Sequence, residues 1–195
     1  MAHDPESAER PPPRLRPGAR IGAVVSTFHA ELTEAMLESA WRELAAAGLP
    51  EGELLVLRVP GAFELPLVAR RLAIREDVDA VMCLGAVIRG ETDHNRHVAE
   101  AAARGVLQVS LETDKPILFG VLTCDSIAQA RARALPRERG GAEDKGREVA
   151  RSALAVLSAL EDARRIGASP RSVGFGAWTP AASPGAGEPA GRSEA

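Results

Sequence analysis

The chain has 195 residues, 45% of them hydrophobic and 26% charged, enough for one compact domain with a sizeable core. Its 24 basic and 27 acidic residues leave a net charge of −3, which gives no electrostatic basis for binding nucleic acid or an anionic membrane. No apolar run approaches the roughly 18 residues of a membrane span, and the opening "MAHDPESAERPPPRLRPGAR" lacks the apolar centre of a signal peptide, so a cytoplasmic location is expected.

Residues 1–19 are dominated by Pro and charge, and residues 167–195 by Gly, Pro, Ala and Ser. Both compositions predict disordered tails around a domain at residues 20–166. Within that domain, "RIGAVVST" (20–27) reads as a strand, followed by a helix whose apolar positions Leu32, Met36, Leu37, Ala40 and Leu44 keep the helical period until Gly48. "ELLVLRVP" (53–60) predicts a second strand, leading into a helix from about Ala62 to Ile74 with Pro66 in its first turn, where proline is tolerated. "DAVMCLGAVI" (79–88) is the most continuously apolar run, the pattern of a strand covered on both faces.

A helix from about Asp93 to Glu112 comes next, then a strand "PILFGVLT" (116–123) and a short helix from about Ser126 to Ala134. A charged loop, "RERGGAEDKG", precedes a long helix with Val149, Ala153, Val156, Leu157 and Leu160 on one face. Four strands alternating with helices predict a doubly wound α/β layer with a parallel sheet. Cys83 and Cys124 both fall inside apolar runs without metal-ligand spacing and are expected to be reduced core residues.

In open α/β sheets the ligand crevice lies outside the carboxyl ends of the strands. The informative residues are therefore "STFH" (26–29), "PGAFE" (60–64), "RGETDH" (89–94) and "TCD" (123–125). Gly90 and its neighbours open a helix, whose unpaired N–H groups and dipole suit an anion; alternatively Thr92 or Asp93 simply caps that helix, with Gly90 permitting the turn. His94, in the first turn, is either a proton carrier near neutral pH or an exposed helix-start histidine.

Phe28 and Phe63 are either a stacking surface for a planar ligand or ordinary core aromatics. Glu64 binds hydroxyls or occupies the first turn of its helix, where an acid is favoured. Arg133 and Lys145 flank a loop that could close over an anion. His29, His94 and His97 together could hold zinc, although their spacing is unspecific.

Taken in order, "VVSTFHAELTEAMLE", "VPGAFELPLVARRLA", "DAVMCLGAVIRGETDH", "QVSLETDKPILFGVLT" and "AEDKG" resemble the 6,7-dimethyl-8-ribityllumazine synthase family, over about Arg20 to Ile166. The resemblance implies a three-layer, flavodoxin-like fold with a four-stranded parallel sheet and helices on both faces. It also implies a cofactor-free, metal-free condensation of 5-amino-6-(D-ribitylamino)uracil with 3,4-dihydroxy-2-butanone 4-phosphate in riboflavin biosynthesis. By the same resemblance Gly90, Glu91 (through its N–H) and Thr92 hold the phosphate and His94 is the general acid/base. Phe28 stacks on the pyrimidine, Ala62, Phe63 and Glu64 hold the ring edge and ribityl chain, and Ala86, Val87 and Ile88 line the pyrimidine pocket. Phe119 matches an aromatic supplied by a neighbouring subunit, Arg133 a phosphate-binding arginine and Lys145 a lysine near it.

The chain departs from the family at Asp93, Asn95, Arg96 and His97, which leaves a non-catalytic, binding or shell-forming paralogue as the alternative. Its long "RARALPRERGGAEDKG" segment offers Arg131, Arg133, Arg137 and Arg139 for one role, with Arg133 the best match. Members with a long loop here stop at pentamers, so a homopentamer is expected rather than an icosahedral shell, with riboflavin synthase as a candidate partner.

Overall fold

The computed structural model describes residues 13–168. Its elements follow the expected order: β1 (Ile21–Ser26), α1 (Ala30–Ala46), β2 (Leu54–Val59), α2 (Leu65–Ala73), β3 (Ala80–Ile88), α3 (His94–Thr113), β4 (Ile117–Cys124), α4 (Ile127–Ala134) and α5 (Lys145–Ala168). All pairings are parallel, in the order β2-β1-β3-β4, which makes β3 a central strand. That position accounts for its unbroken apolar run.

Alternation along β1 and β3 divides the core in two. Ile21, Ala23, Val25, Met82 and Leu84 face α1, α4 and α5, where Leu32, Met36, Leu44, Ala130 and Leu154 meet them. Val24, Val81, Cys83 and Val87 face α2 and α3, against Leu65, Ala69, Leu72 and Val106. The result is the expected three-layer α/β arrangement of the flavodoxin-like kind.

Two local details position the crevice. The segment expected to be helical from Ala62 begins as a single 3-10 turn (Ala62–Glu64), and α2 proper follows with Pro66 in its first turn. A Cβ at Gly105 would lie 2.7 Å from Pro66 Cγ, so only glycine lets α3 pack this closely on the start of α2. Elsewhere the pattern reading overreached: on α5, Val149, Ala150, Ala153 and Leu154 are buried, but Val156 and Leu160 are exposed. The buried stripe is centred on Ala153 and its neighbours, with Val156 at its margin and Leu160 near its far end.

Among the described residues, those up to Glu161 form one compact unit and those from Asp162 onward belong to a second. In the second unit the described residues are the last turns of α5, where Asp162 and Arg165 lie 3.8 Å apart. The tails expected at 1–19 and 167–195 lie largely outside the described residues. Within the described part, Leu15 packs on the core and donates its N–H to Ala47 O at 3.1 Å, while Arg16 pairs with Asp79 at 2.5 Å. Among the described residues no helix is long and apolar enough to cross a membrane.

Candidate active site

A cleft of about 420 Å³ opens at the carboxyl ends of β1, β2 and β3. Phe28 enters it from the turn after β1, Ala62, Phe63 and Glu64 from the turn after β2, and Ala86, Val87 and Ile88 from the end of β3. Gly90, Thr92 and His94 complete the wall where α3 begins; Glu91 is exposed beside them but does not line the cleft. Sequence reading missed Asn95 and Val98 as lining residues. The signal was available for Val98, which stands four residues after His94 and so on the same helical face.

Phe28 and Phe63 are 67% and 63% exposed, which rules out the core-aromatic reading. Two bare rings beside an apolar pocket floor form a surface for a flat ligand. Phe28 meets His29 edge-on, with ring centroids 5.0 Å apart at 84°. His29 itself has a left-handed backbone (φ 61°, ψ 47°), an uncommon conformation for a non-glycine residue. Bonds from Thr27 N to Val59 O (2.8 Å) and from Phe28 N to Pro60 O (3.0 Å) hold this turn in place.

Glu64 is half-buried and accepts the Gly61 N–H at 2.9 Å across the 3-10 turn that precedes α2, a local cap that engages one carboxylate oxygen. At the start of α3 the simple capping account fails. Asp93 occupies the cap position, but its side chain makes no capping hydrogen bond. Gly90 is not in a left-handed conformation, and a Cβ there would meet nothing within 4 Å. Neither the turn nor packing within the chain demands glycine. A bare backbone beside a helix start is electrostatically suited to an anion.

Phe119, Arg133 and Lys145 are not in this cleft; they line a second one, of about 390 Å³, against β4 and α5. Among the four competing arginines, Arg133 is the one that reaches it. Arg131 and Arg139 are paired instead with Glu31 (2.9 Å) and Glu38 (3.3 Å) of α1, and Arg137 is exposed. Burial works to lower the Lys145 pKa, but its bonds with Glu148 and Glu143 outweigh that and hold it raised, so it is a cation. Sequence reading missed Glu148 and Ser152 here, because their placement depends on how α5 docks.

His29 and His94 share the first cleft and His97 does not line it; among the described residues no three His, Cys, Asp or Glu side chains converge as a metal set. Both cysteines are buried and reduced, and burial pushes the Cys83 thiol up to about 12.

The fold and this crevice define a doubly wound α/β protein that presents an aromatic-walled pocket and the start of α3 at one sheet edge. Residues 18–161 match the family described as 6,7-dimethyl-8-ribityllumazine synthase. Among the relatives so named, one from Thermus thermophilus is 48% identical over 144 residues, covering 74% of this chain and 89% of its own length. One from Frankia casuarinae is 45% identical over 151 residues, covering 77% and 91%, and one from Protochlamydia amoebophila is 40% identical over 156 residues, covering 79% and 87%. The chain belongs to the 6,7-dimethyl-8-ribityllumazine synthase family.

Proposed function

We propose that the chain is a lumazine-forming transferase, joining 5-amino-6-(D-ribitylamino)uracil to 3,4-dihydroxy-2-butanone 4-phosphate with release of phosphate and water, in riboflavin biosynthesis. The observation that carries this reading is the shared cleft: two exposed phenylalanines, an uncapped helix start with an unforced glycine, and a histidine in the first helical turn. An amine must attack a ketone, phosphate must depart, and ring closure must expel water. Such a site has to hold a planar amine, seat a phosphate and move protons.

Phe28 takes the pyrimidine face, Ala86, Val87 and Ile88 form its pocket, and Ala62, Phe63 and Glu64 hold the ring edge and ribityl chain. Gly90, Glu91 and Thr92 offer the phosphate their backbone and hydroxyl groups. His94 carries the protons. Holding two reactants in line supplies much of the rate, since effective molarities are large when geometry is fixed.

The site is completed by a neighbouring subunit, which brings Phe119, Arg133 and Lys145 to it. In support, these residues line a cleft apart from the first, and Leu67, Leu107 and Leu111 are exposed on α2 and α3. A homopentamer is the assembly that goes with the long α4–α5 segment, and light scattering showing a shell-sized particle would overturn it. A cytoplasmic location and riboflavin synthase as a partner belong to the same reading.

The test is to mix purified protein with both substrates, without added metal, and to follow lumazine absorbance. A rate well above the uncatalysed background supports the assignment; background alone from a well-folded oligomer sinks it.

A further inference from the structure

The two cations of the second cleft are already paired with carboxylates. Arg133 and Lys145 line it, and the phosphate reading above gives both to the substrate. Yet Lys145 Nζ lies 3.0 Å from one oxygen of Glu143 and 2.7 Å from Glu148, while the other Glu143 oxygen lies 4.0 Å from Arg133 Nε. Two cations facing two carboxylates offer an incoming dianion almost no net attraction.

The two carboxylates are not equivalent. Glu148 sits one helical turn beyond Lys145 on α5 and moves with it. Glu143 stands beside the cleft, on the loop between α4 and α5, where the backbone is pinned independently of its side chain. Its N–H donates to Ala132 O at 2.9 Å and the Ala142 N–H donates to the same oxygen at 2.8 Å. Gly141 is pressed so closely to the chain that a Cβ there would lie 1.7 Å from Leu135 O. The Glu143 side chain is 40% exposed, and its 4.0 Å approach to Arg133 is too long for a hydrogen bond. Of the three ion-pair distances given above, this one is the longest.

We propose that Glu143 is an internal counter-ion that stands in for the phosphate between Arg133 and Lys145 and swings aside when phosphate enters. Held this way, the cations stay in place without a ligand, and the departing phosphate meets a competitor that speeds its release. Glu143 thereby sets the affinity of the site for its anion. The inference rests on the assignment of these two cations to the phosphate.

The test titrates inorganic phosphate into the full-length, assembled protein by calorimetry, using wild type, Glu143→Gln and Arg133→Gln. Glu143→Gln is expected to tighten phosphate roughly two- to five-fold, the range of a partly exposed ion pair. The KM for the butanone phosphate should fall by the same factor, with the KM for the ribitylaminouracil unchanged. Arg133→Gln should weaken phosphate binding. If Arg133→Gln weakens it and Glu143→Gln leaves it unchanged or also weakens it, Glu143 merely braces the cations and the proposal fails. If Arg133→Gln has no effect, the phosphate does not use this cleft, and the underlying assignment fails first.

Discussion

Phe119 of β4 stands opposite Cys83 of β3, five residues before Ile88, the β3 residue that closes the His94 cleft. At about 3.3 Å per residue, that offset places Phe119 roughly 16 Å down the sheet from Ile88 and about 10 Å from Ala86, the first β3 residue of the cleft. A single subunit therefore keeps Phe119 away from its own His94. Mixed assemblies test whether the two meet across an interface. His94→Ala and Arg133→Ala subunits, each nearly inactive alone, should when co-expressed recover about a quarter of wild-type activity, the share of interfaces that pair two intact halves. Activity no higher than either parent would put the whole site within one subunit.

His94→Ala should slow lumazine formation by ~10²- to 10⁴-fold while leaving substrate affinity close to wild type. The residue occupies the first turn of α3 and is exposed, so its removal leaves no cavity. Single-turnover rates and equilibrium binding separate the two effects. A large loss of affinity with an unchanged chemical step would make His94 a binding group instead.

Two glycines should behave in opposite ways. Gly90→Ala should leave stability within about 0.5 kcal/mol of wild type, because its Cβ meets nothing within 4 Å, but should raise the KM for the butanone phosphate. At Gly146 a Cβ would lie 2.1 Å from Met36 O, where α5 begins against α1. Gly146→Ala should therefore cost about 3 kcal/mol, since backbone cannot yield as a side-chain tip can. Urea melts read both; a destabilised Gly90→Ala would mean that the glycine serves the fold after all.

The acid limb of stability should depend on Asp77. Arg75 first, then Arg20, bond its carboxylate and hold its pKa at about 2, against an ordinary 3.8. Because the folded value is the lower one, the stabilisation is complete above the ordinary value and disappears as pH falls through the folded one. Asp77→Asn should flatten the fall in stability between about pH 5 and pH 2. The pair is exposed, so the change is small. An identical acid limb in the variant would remove Asp77 from the account.

The order and type of the elements were legible in the sequence because periods of two and 3.6 are local properties. The continuous apolar run of β3 announced a strand covered on both faces, and topology assigned the residues after all four strands to one crevice; those after β1, β2 and β3 line it, but Thr123 at the end of β4 lines the second cleft instead. What the tertiary structure decided was non-local. Register placed Phe119 away from His94, and the docking of α4 and α5 on α1 separated Arg133 from Arg131 and Arg139 and brought Glu143 between two cations. The bareness of Phe28 and Phe63 and the unforced glycine at position 90 were equally hidden. Each depends on what packs or fails to pack around a residue, and residues distant in the chain supply those neighbours.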